Sequence, residues 1–80
     1  MNQLCKNSIN DQISALQDVG YHLIDVTEEQ QEAFDNMPKN LQGSERGKAT
    51  QEAINQLKEA MNCINNARDA LSEALSQGSN

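Results

Sequence analysis

Eighty residues carry 12 acidic side chains against 6 Lys and Arg, a formal charge of −6 at pH 7. That length allows one small domain, and that charge disfavours non-specific contact with nucleic acid or an anionic membrane. No apolar run approaches the roughly 20 residues that span a bilayer. With one Tyr, one Phe, no Trp and an apolar share of 36%, aliphatic side chains and alanine must build the core, a composition that suits exposed helices better than a globule.

The opening MNQLCKNSINDQ has no basic patch followed by an apolar stretch, so no secretory signal is expected and the predicted location is the cytoplasm. Cys5 and Cys63 are far apart, and neither belongs to a CxxC pair. Two Cys and one His do not supply the four ligands of a structural zinc site, so free thiols are expected and no metal or cofactor is assigned.

The first predicted element is a helix over about residues 8–36. Ile9, Ile13, Leu16, Gly20 and Leu23 recur at steps of four and three, and the pattern continues more weakly through Thr27 and Gln30 to Phe34. That is a heptad seam, widened by Val19, Ile24 and Val26. Ser8, with Asp11 three residues on, is the predicted cap. TEEQ, from Thr27 to Gln30, is itself a capping-box sequence, so a break between Val26 and Thr27 is an open alternative. Pro38 ends the pattern, because it pushes Met37 out of the helical region.

Residues 37–47 form the predicted connector, within the stretch NMPKNLQGSERGKAT. Half of the chain's cations, Lys39, Arg46 and Lys48, fall in it or just beyond it. A second helix is predicted over about residues 44–76. Ala53, Ala60, Ala67 and Ala74 recur every seven residues, with Leu57, Ile64 and Leu71 four residues after the first three. An alanine stripe lets helix backbones approach closely, and Gly20 would permit the same on the first helix. Ile54, Met61 and Leu75 lie beside the alanines, with Arg68 where a further apolar residue would fall. Residues 77–80 are expected to fray.

Together these elements predict an all-α chain: a single antiparallel helical hairpin over residues 1–80. Its packing residues would be Ile13, Leu16, Gly20, Leu23, Phe34, Ala53, Leu57, Ala60, Ile64, Ala67 and Leu71. Two helices enclose no centre, so homo-oligomerisation into a helical bundle is expected. With the turn near residue 43, Cys63 lies opposite residue 24, roughly 28 Å along the axis from Cys5 at 1.5 Å per residue. An intrachain disulfide, which needs Cα atoms within about 7 Å, is thereby excluded.

Candidate chemistry is sparse. His22, flanked by Asp18 and Asp25, has the spacing of a helical carboxylate–histidine pair but no partner nucleophile, and no catalytic residue is assigned. Glu28, Glu29, Glu32 and Asp35 are dense, yet the Glu-x-x-His pairs of a di-metal bundle and the spaced Asp/Asn of a calcium loop are absent. Carboxylates are too thin along the second helix for phosphate mimicry. Direct nucleic-acid binding lacks the basic and aromatic residues it requires. Ser44, Arg46 and Lys48, with Lys39 in reach, hold the ingredients of an anion site at a helix start. The competing reading is a polar connector whose cations offset the nearby acids.

The run from EEQQEAFD through ARDAL, over half of the chain, resembles a family of small, mostly uncharacterised proteins of bacteriophages, prophages and related mobile elements. The shared pattern is an acidic helix end, a Phe-Asp-Asn-Leu/Met-Pro turn and Leu-Gln-x-Ser-Glu-Arg-Gly, here Phe34, Asp35, Asn36, Met37, Pro38, Leu41, Gln42, Ser44, Glu45, Arg46 and Gly47. The resemblance implies a mobile-element accessory protein in the bacterial cytoplasm that binds and modulates a host protein without catalysis. Its alternative is sequestration of a small anionic ligand such as a nucleotide through the basic connector.

Overall fold

The computed structural model describes residues 1–78. Three helices follow one another: α1, Gln3–Asp35; α2, Lys39–Gln42; and α3, Glu45–Gly78. No strand occurs among the described residues. The long helices α1 and α3 pack against each other as a hairpin, and α2 packs on α3. The result is a rod with principal extents of 59 × 15 × 12 Å.

Helix α1 starts earlier than residue 8. Asn2 caps it, its side-chain oxygen accepting from the Cys5 backbone N–H at 2.8 Å. Asn is as good a cap as Ser, and Gln, Leu and Lys at positions 3, 4 and 6 favour helix. Ser8 is therefore interior. The helix also runs unbroken through Thr27. Rather than capping a new helix, the Thr27 hydroxyl donates backwards to the Leu23 carbonyl at 2.6 Å, the bond a threonine makes inside a helix. At the other end, α3 runs on through Gln77 and Gly78, the first two residues of the predicted tail. Ser79 and Asn80, the rest of that predicted tail, lie outside the described residues. The Met1 ammonium donates to the Gly78 carbonyl at 3.0 Å, joining the open end of the hairpin.

The α1 seam follows the heptad. Ile9, Ile13, Leu16, Gly20, Leu23, Thr27, Gln30 and Phe34 are each buried or half-buried. On α3 the seam is Thr50, Ile54, Leu57, Met61, Ile64, Arg68, Leu71 and Leu75, at alternating steps of four and three, all buried or half-buried. The alanine row is displaced from it by one residue. Ala60, Ala67 and Ala74 are half-buried beside the seam, while Ala53 is exposed in the hairpin. The larger side chains take the central line because burying Ile, Met or Leu gains more than burying a methyl group.

Among the described residues Ile54 is the only fully buried large side chain, at 0% exposure. It, Thr27 and Gly47, the most enclosed residues, all lie in the half of the rod nearest the connector. Gly20 does not mark a close approach of backbones. A Cβ built there would meet only Ile64 Cγ2, at an ordinary 4.0 Å.

Two substitutions test this packing by chemical denaturation at fixed protein concentration. Gly20→Ala should stabilise the hairpin by about 0.5–1 kcal/mol, since it removes a mid-helix glycine without a clash. Ile54→Ala should destabilise it by about 2–5 kcal/mol.

Candidate functional site

The connector is built by backbone and side-chain fastenings. α1 ends as the Asn36 N–H bonds the Glu32 carbonyl at 3.0 Å and the Met37 N–H bonds that of Phe34 at 3.1 Å. Pro38, extended at ψ 149, turns the chain, and its carbonyl accepts from Leu41 and Gln42 N–H at 2.8 and 3.0 Å to start α2. The Gln42 side-chain amide then reaches back and donates to the carbonyls of Phe34 and Met37 at 3.1 and 3.2 Å. Carbonyls at a helix C-terminus lack partners in their own helix; that of Phe34 takes the Gln42 amide beside the Met37 N–H, and that of Met37, past the end of α1, takes it as well.

Ser44 opens α3. Its hydroxyl donates to the Leu41 carbonyl and accepts from the Gly47 N–H at 3.4 Å. Glu45, in the first turn, places a carboxylate where the helix dipole favours one. Gly47 is buried beneath α2. A Cβ there would run into the carbonyl oxygens of Gln42 and Leu41 and lie 2.5 Å from the Gln42 carbonyl carbon. No residue in the chain has positive φ among those described, so Gly47 is needed for space and not for its backbone angles.

The four residues of the anion reading are thus divided. Ser44 is half-buried and both of its hydrogen-bonding roles are taken within the connector. Lys39, Arg46 and Lys48 are exposed. The Arg46 carbonyl accepts from the Thr50 hydroxyl at 3.0 Å, a bond internal to the helix. The connector motif is therefore first a fold-defining device, with three cations on its outside.

His22 is not paired with a carboxylate. Its Nδ1 lies 2.7 Å from the Asp18 backbone carbonyl. Among the described residues no group of His, Cys, Asp and Glu is arranged to hold a metal ion. Cys5 and Cys63 are both free and exposed.

A second feature lies along one flank of the seam, where Tyr21, at 60% exposure, and Ile24, at 43%, stand out from α1. Two adjoining cavities open here, one of about 90 Å³ and one of about 230 Å³. Ile24 and Met61 line both, so they form one groove. Gln17, Tyr21 and Arg68 line one end, and Glu28, Gln31 and Lys58 the other. Arg68 Nε is buried there without a hydrogen-bond partner. On the opposite flank of α1, Val19 and Val26 are exposed one heptad apart. Sequence reasoning placed Ile24, Val19 and Val26 beside the stripe but passed over Tyr21. The available signal was position: Gln17, Tyr21, Ile24, Glu28 and Gln31 each follow a seam residue by one.

No protein-family model, no curated protein and no solved structure matches the chain. No helix among the described residues is long and apolar enough to cross a membrane.

Gly47→Ala should destabilise the hairpin by about 1–3 kcal/mol, because backbone must shift to admit the methyl group. Arg46→Ala and Lys48→Ala, at exposed positions, should each change stability by no more than about 0.5 kcal/mol. Thermal melts of the three variants beside the wild type separate the fold-defining residue from the outward cations.

Proposed function

We propose that this chain is a non-catalytic helical binding protein that associates with itself and engages a host protein. The observation that carries the reading is surface. The hairpin exposes 5715 Å², whereas a compact monomer of its 8.8 kDa mass would expose about 4800 Å². Its radius of gyration, 17.9 Å, likewise exceeds the roughly 12 Å of a compact chain of this length. Apolar side chains remain on both flanks of the single seam, Tyr21 and Ile24 on one and Val19 and Val26 on the other. Tyr21 and Ile24 adjoin one another along one cavity, and contiguous exposed apolar surface favours a binding role. The connector's resemblance to mobile-element proteins supplies the context, a bacterial cytoplasm with host proteins as targets.

Sequestration of an anionic ligand is less favoured, because the Ser44 hydroxyl is committed to the connector and Glu45 occupies the first turn of α3. Calorimetry against a panel of nucleotides should give no heat. A saturable signal abolished by Arg46→Ala would reverse that preference.

Sedimentation velocity at micromolar concentration should show a species larger than the monomer. A monomer throughout would remove self-association from the reading. Affinity capture from bacterial lysate tests the host partner: Val19→Lys combined with Val26→Lys should lose the captured protein with helix content unchanged.

A further inference from the structure

We infer that the groove around Tyr21, Ile24 and Met61 is the surface on which a second copy of this chain docks, the two rods lying side by side with their connectors at the same end. This rests on the self-association proposed above and specifies its face and geometry.

Area is the first argument. The hairpin's surface of 5715 Å² exceeds that of a compact monomer by about 900 Å². A stable interface removes about 800 Å² from each partner. One second copy therefore accounts for the excess.

Charge selects the arrangement. The groove has an α1 wall and an α3 wall. Gln17, Tyr21, Ile24 and Glu28 stand on the first, and Arg68, Met61 and Lys58 on the second. Gly20 faces Ile64 across the seam, so antiparallel counting sets Glu28 level with residue 56, beside Lys58, and Gln17 level with residue 67, beside Arg68.

A two-fold axis along the rod lays each α1 wall over the α3 wall of the other copy without changing level. Glu28 then meets Lys58 of the second copy, Ile24 meets its Met61, and Gln17 meets its Arg68. Both contacts of each kind are made, as an isologous interface requires. The Gln17 amide oxygen is a suitable acceptor for a guanidinium such as that of Arg68. An axis across the rod through the groove would instead bring Lys58 against Arg68 of the second copy, and like charges in an interface are disfavoured.

Paired charge reversal tests the geometry. Glu28 and Lys58 are both exposed in the hairpin, so Glu28→Lys and Lys58→Glu should fold with unchanged helix content by circular dichroism. In either variant alone, each Glu28 and Lys58 pairing becomes a like-charge pairing, and self-association should weaken by about tenfold or more. Mixing the two restores opposite charges at both pairings, so the mixture should form a heterodimer by native mass spectrometry. A swap within one chain cannot produce that result.

Variants that self-associate as the wild type does, with no preference in the mixture, would overturn this face while leaving self-association standing. A wild type that stays monomeric would instead overturn the underlying reading. A mixture in which both variants are folded and remain apart would also reject the arrangement.

Discussion

Two helices meet along a line, and everything in this molecule follows from how little a line can enclose. In a bundle of four, a seam residue is covered from several sides. Here it is covered from one, and its flanks remain open to solvent. Among the described side chains only Ile54 is fully enclosed, while Leu16, Leu23, Leu57, Ile64 and Leu71 keep part of their surface. A chain of this size has a small margin between burial gained and conformational entropy lost. The outward apolar flanks are thus a direct outcome of the architecture.

The connector solves a separate problem. A heptad seam repeats, so one helix could slide along the other by a turn or two at modest cost. What fixes the alignment is a short set of non-repeating contacts. Pro38 ends the first helix, Gln42 closes its last carbonyls, Ser44 begins the next, and Gly47 lets that helix sit against the backbone of α2. Each role uses a different chemical property: a missing N–H, an amide long enough to reach back, a hydroxyl that both gives and accepts, and the absence of a side chain. The connector is, in this structure, a register lock.

Much of the fold was legible because periodicity is a strong physical signal. The run from Ile9 to Phe34 identified the α1 seam, including the polar members Thr27 and Gln30. Phase was harder to read than period. On α3 the alanines and the larger apolar residues repeat every seven positions, one residue apart, so spacing alone could not say which row lies central. Side-chain size decides it, and Ala53 falls outside. The early start at Asn2 and the unbroken passage through Thr27 were obscured because capping residues work in more than one setting. Thr27 can cap a helix or bond back within one, and only the neighbouring turns settle which. The need for a glycine at position 47 left no trace in local sequence, since it comes from a backbone several residues away. The candidate site was least legible of all. A groove between flanks depends on the phase of both helices at once, and Tyr21 becomes notable only when Met61 is seen beside it.

Enclosure is uneven along the rod, and this gives the hairpin a direction in which it opens. Thr27, Gly47 and Ile54 concentrate burial toward the connector, whereas Leu4 and Met1 at the far end are exposed. Local opening is cheapest where few apolar contacts must be broken. The two helices of the rod will therefore part first at the end where Met1 meets Gly78, like a zipper anchored at its turn. Backbone amides near the connector should exchange with solvent most slowly, and those toward the open end progressively faster. Because the connector supplies local contacts between residues close in sequence, the same end is where the chain has least entropy to lose on first closing.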